Sequence, residues 1–537
     1  MNPHDLLHHP DDKPRFDYQA RPDFKSRSDF KRCTDFKRCT NVKTLPAFKS
    51  SRLKLTWYAK TLFATAGLLL MLPLTLPLSA AESIWYRAGD PLNTHIDKLP
   101  KVPADYLPPD VLCAPVSAEQ ALTLADVANA SLCNNPQTRE LWSSVRVQAA
   151  QLGVAKSAYL PSLTDNVSTG FGYASPESGT RSNPTLNLSN SLVASYLLYD
   201  FGNRNATLEN ARQLLLSASA SQSSTVQSLL LTSSVAFYQV QANMAALAAA
   251  REAERASEES YKAADARYKA GVATPADKLQ AQTAYAQLTL ARITSEGNLQ
   301  NAYGSLANVM GLPANQKVTL ASSLVNAPQN ILEDINSLID QAVVRRPDLI
   351  ASEAQLKAAQ ASIDASKAAA KPTISVAVSN GLQDGSQLDF SKNSTLGLTV
   401  SIPLFNGYAP SYRIRAAEAT ADLRAAQRDR LKLQISLDVW TAYQNLRTAL
   451  QSVTATEALM SSAEQSYRVA LGRYKAGVGN IIDTLNAQSA LATARQQQIQ
   501  ATLNANIARA TLAQAMGALD NAMIQSLPST SMTQLTQ

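Results

Sequence analysis

The sequence predicts a mainly α protein made of two copies of one unit, helix, strand, strand, long helix and returning helix, with strands suited to a membrane β-barrel. Three observations carry this. The run Arg267-Tyr268-Lys269-Ala270-Gly271-Val272, followed by Asp277, Leu279, Ala281 and Gln282, returns as Arg473-Tyr474-Lys475-Ala476-Gly477-Val478, followed by Asp483, Leu485, Ala487 and Gln488. Such spacing marks an internal duplication. Each copy is preceded by a run almost free of Gly and Pro: none between Asn203 and Ala270, only Gly472 between Ser411 and Ala476. Before each run, apolar and small polar residues alternate with the period of a strand.

Residues 1–81 hold 14 Lys/Arg and 7 Asp/Glu; removing them from totals of 49 and 42 leaves 35 of each in the rest of the chain. The net charge of +7 therefore belongs to the leader, and the rest of the chain has no net positive charge to attract nucleic acid. Downstream of the leader only His95, Cys113 and Cys133 remain of the four His and four Cys. That inventory is poor for metal or nucleophilic chemistry, so no metal and no cofactor is expected. Neither Gly-x-Ser-x-Gly nor His-Glu-x-x-His occurs, which disfavours a hydrolase, and there is no nucleotide-binding loop.

Residues 1–51 form a basic, low-complexity extension with Asp-Phe-Lys recurring at Asp23, Asp29 and Asp35, and an overextended gene start is the expected explanation. Residues 52–81 read as a secretory signal: Arg52, Lys54 and Lys60, an apolar run broken by Pro73 and Pro77, then Ser79-Ala80-Ala81. A transmembrane anchor is the competing reading. Residues 82–116, rich in proline, should run extended. Cys113 and Cys133 are expected to pair in an exported chain, stabilising it by about 3 kcal/mol for a loop of about 20 residues; two buried thiols are the alternative.

Residues 117–311 form the first repeat. A helix from Ser117 to Lys156, interrupted near Asn134-Asn135-Pro136, leads to strands at about 162–174 and 185–199, the long helix 203–270 and a returning helix from Pro275 to about Val309. Residues 312–346 connect the halves, with a short helix from Ile331 to Val344. Residues 347–517 repeat the plan: a helix from Pro347 to Lys371, strands at about 373–382 and 395–404, the long helix 411–476 and a return from Ile481 to about Met516. Residues 518–537 read as a flexible tail. Each long run would span about 100 Å as helix, which requires helical partners.

The strands fit two environments. A soluble sandwich would alternate in the same way, which would make the chain an exported scaffold or adaptor. Strands of about ten residues behind a secretory signal, with small polar residues on one face, suit a membrane barrel better. Four strands cannot close a barrel, so several copies would have to share one.

The two turns read as helix stops and restarts. Gly271 and Gly477 supply the left-handed residue, and Lys269 and Lys475 face the negative helix ends. Thr274-Pro275-Ala276-Asp277 and Asn480-Ile481-Ile482-Asp483 are helix starts in which each Asp serves a capping box.

The duplicated plan, the Tyr-Lys-Ala-Gly-Val turns, Leu404-Phe405-Asn406-Gly407 after a strand, and Pro161 and Pro372 before the strands resemble the TolC family of outer-membrane export ducts. Cys113 with Cys133-Asn134-Asn135-Pro136-Gln137-Thr138-Arg139 is similar to its cyclolysin-type, type I secretion branch. The resemblance implies a homotrimer with a twelve-stranded barrel in outer-membrane lipid and a helical tunnel in the periplasm. It implies partners too: a periplasmic adaptor and an inner-membrane ABC or proton-driven transporter. The turns would be the periplasmic tips, with Arg267, Lys269, Gly271, Val272, Arg473, Lys475, Gly477 and Val478 meeting the adaptor. Asp483 would form an acidic ring at the gate, and Tyr474 and Asp277 a latch. The sequence departs from the family pattern at Asn486, where a second acid is expected, and at Gly479, where a latching Arg is expected.

Overall fold

The computed structural model describes residues 89–107, 113, 121–172, 185–321, 334–386 and 388–526. The low-complexity extension and the signal lie outside the described residues. The first half carries β1 (Ala121–Leu122), α1 (Leu124–Asn134), α2 (Pro136–Ser157), β2 (Ser162–Gly172), β3 (Thr185–Tyr199), α3 (Asn203–Lys269) and α4 (Pro275–Val309). The second has β4 (Thr319–Leu320), α5 (Ile335–Arg345), α6 (Pro347–Ala368), β5 (Thr373–Gly385), β6 (Leu388–Ser401), α7 (Ala409–Lys475), α8 (Ile481–Ala515) and α9 (Asn521–Ser526). The duplication holds to the residue: α1 and α5 have 11 residues each, α2 and α6 22, α3 and α7 67, α4 and α8 35.

Local chemistry sets the helix starts. Thr123 and Asp126 make a reciprocal capping box for α1, and the Asn135 side chain accepts from the Gln137 N–H ahead of Pro136 in α2. The long helices bury small residues, Ser217, Ala220, Ser233 and Ser234 in α3, Ala421, Ala442 and Ala449 in α7, so neighbouring helices approach closely. The main core gathers Val226, Leu230 and Phe237 of α3 with Leu306 of α4, Met310 just past its end and Leu503 of α8; a second core joins Leu338 of α5 to Ile435, Val439 and Leu446 of α7.

The proline-rich stretch forms no helix over 89–107. It is strapped to the bundle: Trp142 donates its indole N–H to the Leu99 carbonyl (3.0 Å), Gln222 donates to the Lys101 carbonyl (2.9 Å), and Tyr106 is buried where Gln227 donates to its hydroxyl (3.1 Å). Cys113 and Cys133 are joined by a disulfide, with Cα atoms 5.6 Å apart.

Strands β2, β3, β5 and β6 pair antiparallel in that order, leaving β2 and β6 as edges. One face carries Leu163, Val167 and Phe171 of β2 and Leu396, Leu398 and Val400 of β6, all exposed. The other carries small polar groups, with Ser162 and Ser195, and Ser168 and Ser189, in hydroxyl contact at 2.7 Å. At the strand–helix corners, Tyr199, Phe201, Phe405 and Tyr408 form an exposed aromatic girdle, the signature of a barrel's membrane interface. Phe201 and Tyr408 take left-handed backbone there (φ 52° and 61°).

Several expectations differ from the structure. The helix read from Ser117 begins only at Leu124, because Ala121 and Leu122 pair with Thr319 and Leu320 as strands. The second hairpin is longer and tighter: β5 runs to Gly385 and β6 begins at Leu388, instead of 373–382 and 395–404. Asp384 and Lys392 interrupt the apolar alternation near that turn, yet the ladder continues, with Ser386 N–H donating to the Leu186 carbonyl (2.9 Å). The strand stops at Ser401 because Pro403 has no N–H to pair. Helix α7 starts at Ala409 rather than 411, since Pro410 is tolerated in a first turn. The 518–537 segment is not a free tail throughout, because Leu519 and, on α9, Ile524 are buried in the main core.

Candidate functional site

Both α3–α4 and α7–α8 close through the same six-residue stop. Gly271 (φ +73°) donates to the Tyr268 carbonyl (3.0 Å) and Val272 to the Arg267 carbonyl (3.0 Å); Gly477 (φ +80°) donates to Tyr474 and Val478 to Arg473, each at 3.1 Å. This pair of bonds is the Schellman motif, and the left-handed glycine permits it. Val272 and Val478 are 75% and 71% exposed, and Lys269, Arg473 and Lys475 are exposed around them. Each tip thus presents one apolar side chain in a basic collar.

The helix restarts differ. At the first tip Asp277 Oδ2 accepts from the Thr274 N–H (3.0 Å) and hydroxyl (2.8 Å), and the Asp277 N–H donates back to Thr274 Oγ1 (3.2 Å). At the second tip Asn480 alone caps, accepting from the Ile482 N–H (3.1 Å), and Asp483 takes no part in a capping box. The expectation that Asp483 caps α8 is corrected: Asn480, with its short amide, already serves the second N–H. Asp483 instead opens onto a groove of about 660 Å³ between α7 and α8, with Asn486, Arg473 and Gly479.

Tyr474 is buried, and Arg267 holds it. The guanidinium donates to the Tyr474 carbonyl (2.8 Å) and lies 4.2 Å from the ring centroid. Among the described residues no hydrogen bond joins Tyr474 to Asp277, whose Oδ2 accepts from Thr274. Arg267, expected only as an adaptor contact, is the clamp between the two hairpins. Gly479 is also explained. A Cβ there would stand 2.9 Å from the Tyr474 nitrogen and 3.0 Å from the Arg473 carbonyl carbon, so no side chain fits beneath the last turn of α7.

Gly479→Ala, which imports the residue found 206 positions earlier as Ala273, should therefore force the turn apart at a cost of about 1–3 kcal/mol. The measurement is trypsin cleavage at Arg473 and Lys475, which should accelerate in the variant; an unchanged rate would mean the turn absorbs the methyl.

Sequence reasoning missed the ion cluster of the first tip. Asp265 pairs with Lys269 (2.7 Å) one turn on and with Lys278 of α4 (2.8 Å), and the Lys278 ammonium lies 5.4 Å from the Tyr268 ring. The spacing of Asp265 and Lys269 was the available signal. Hydrogen bonds from Lys269, then Lys278, hold the Asp265 carboxyl below its ordinary value, and Asp265 raises Lys278. A depressed carboxyl contributes while it is ionised, so the cross-tip pair persists through the ordinary carboxylate range, near pH 4, and is lost only at more acidic pH. A spin-label pair across the α3–α4 tip should keep its distance from about pH 7 to about pH 4 and widen below that. Widening near neutral pH would contradict the assignment.

Further up, Gln488 of α8 donates to the Ala253 carbonyl of α3 (3.3 Å), and Arg495 pairs with Glu252 (2.6 Å). The second hairpin is thereby held to the first. Among the described residues no group of His, Cys, Asp and Glu could hold a metal, and no helix is long and apolar enough to cross a membrane.

Residues 127–312 and 338–518 match the family model described as outer membrane efflux protein. The chain is 29% identical to Protein CyaE of Bordetella pertussis over 390 residues, 70% of this chain and 80% of that protein. It is 22% identical to the outer membrane protein TolC of Escherichia coli, over 75% of this chain and 84% of that protein. Its fold is similar to the crystal structure of the Campylobacter jejuni CmeC outer membrane channel, with a TM-score of 0.66 at 16% identity, covering 78% of this chain and 93% of that one.

Proposed function

The chain belongs to the outer membrane efflux protein family, and from that premise we propose that three copies form a passive export duct, gated at the α7–α8 tips. Its barrel stands in the outer membrane and its helices continue the passage into the periplasm. The observation that carries the reading is the four-stranded sheet. It carries Leu163, Val167, Phe171, Leu396, Leu398 and Val400 on one face and small hydroxyl groups on the other, and it is open at β2 and β6, on a base of two 67-residue helices. Open edges are not stable in lipid, so the sheet has to be completed by other copies, and three times four strands give twelve.

Transport is the activity of the family, and energy has to come from elsewhere. We assign that to an inner-membrane ABC or proton-driven transporter, joined through a periplasmic adaptor that takes Val272 and Val478 with their Lys and Arg collar. Asp483 sits at the gate, and the neutral Asn486 one turn on leaves it the only acid of that pair. Protein export by a type I route is the favoured cargo reading, supported by 29% identity to Protein CyaE against 22% to TolC and by the Cys113–Cys133 pair. Fractionation tests the proposal. A heat-modifiable trimer in outer membranes is expected, and a soluble monomer in the periplasm would refute it.

A further inference from the structure

Where the strands pass into the helices, the apolar face of the sheet ends in aromatic rings that carry cations. The register shifts between Leu197 and Tyr199, so that Tyr199 stands opposite Ile374, itself opposite Val400 of the apolar face. Tyr199 meets Phe201 edge on, with ring centroids 4.7 Å apart, and the Lys371 ammonium lies 5.9 Å from the Phe201 centroid. Lys371 is thereby carried to the apolar side of the sheet. At the β6–α7 corner Phe405 meets Tyr408 edge on at 5.5 Å, and the Arg415 guanidinium lies 5.6 Å from the Tyr412 centroid. Tyr408, Tyr412 and Arg415 follow at spacings of four and three, which puts them on one side of the helix.

Both cations stand at one level. Lys367 of α6 and Glu418 of α7 approach to 4.0 Å, and the two helices run in opposite senses, α6 toward β5 and α7 away from β6. Lys371 is four residues, and Arg415 three, nearer the strands than that contact. Both side chains are exposed, and among the described residues no carboxylate pairs with either.

Charge is also unequal between the two ends of the sheet. The strand–helix corners, residues 156–162, 199–213, 366–373 and 402–416, hold seven Lys or Arg against two Asp or Glu. Residues 173–184 and 382–392, at the opposite end, hold two against three. An excess of cations beside aromatic rings, at the margin of an apolar band, suits a lipid headgroup layer. The ring sits in the interface, the stem follows the apolar surface and the charge reaches the phosphate.

We propose that Lys371 with Phe201, and Arg415 with Tyr412, bind the headgroups of anionic phospholipids in the periplasm-facing leaflet. The inference rests on the trimeric duct, whose three copies would supply a belt of six such cations. The belt fixes the depth at which the barrel stands and selects anionic over zwitterionic lipid. Each basic group at an anionic surface strengthens the attraction about fivefold, and added salt weakens it.

The test uses the full-length trimer purified in detergent, with phosphatidylglycerol or phosphatidylcholine added and the retained lipids counted by native mass spectrometry. The wild-type trimer should retain phosphatidylglycerol in preference. Lys371→Gln combined with Arg415→Gln should lower that preference about 25-fold, from two groups at about fivefold each. Lys392→Gln, at the opposite end of the sheet, should leave it unchanged. No preference in the wild type, an undiminished preference in the double variant, or an equal loss in Lys392→Gln overturns the belt while leaving the duct intact. A double variant that changes the ion selectivity of the channel but not its lipid retention also overturns the belt, because its cations then face the passage. Failure of the wild-type chain to form a trimer overturns the duct itself.

Discussion

Channels carrying Asp483→Ala are expected to lose block by multivalent cations at least about tenfold, with a higher basal leak. Asp483 is exposed, is free of any capping box and opens onto the α7–α8 groove, so its charge is available to the passage. In a trimer three such carboxylates share one axis, and three like charges on a narrow, partly dehydrated ring attract a trivalent cation strongly. With Asn486 in place of a second acid, the proposed ring would be the only one of that pair to bind the cation. A tenfold loss corresponds to about 1.4 kcal/mol, modest for removing three charges. The measurement is titration of a trivalent cobalt ammine against single-channel current. An unchanged midpoint would mean that Asp483 does not face the passage.

The largest effect on stability is expected far from the gate. Replacing both Leu519 and Ile524 with Ala should abolish the heat-resistant trimer at 37 °C. Both side chains are essentially fully buried in the core that joins α1, α3, α4 and α8. Truncating one buried Leu or Ile to Ala costs about 2–5 kcal/mol, because the transfer energy is lost and a cavity is left. Two such losses approach the whole stability of an ordinary domain, about 5–15 kcal/mol. Electrophoresis of unheated samples reads the outcome. Full trimer retention would show that this segment is dispensable.

The sequence carried the architecture because its signals were local and repeated. Proline at 136, 275 and 347 and glycine at 271 and 477 mark helix boundaries by backbone chemistry alone, and the period-two alternation points to all four strands of the large sheet. It failed where a tertiary contact decides. Residues 518–526 are too short to show a period, and only the groove that receives Leu519 and Ile524 turns them into core. The tip of the second hairpin was lost because Asp384 and Lys392 break the alternation while the backbone ladder with β3 continues. At the candidate site the glycine stops and the Thr274 to Asp277 box could be read from spacing. That Arg267 rather than Asp277 holds Tyr474 could not be, since the two residues lie 207 apart and meet only when the hairpins pack.

In the proposed assembly three chains enclose one passage, closed at the tips. Single-channel recording of the purified trimer in planar bilayers tests it most directly. Discrete, small conductance steps that multivalent cations block from one side only are expected, with larger steps when Arg267, which holds Tyr474, is replaced by Ala. Inserted trimers that conduct no ions in either form would contradict it.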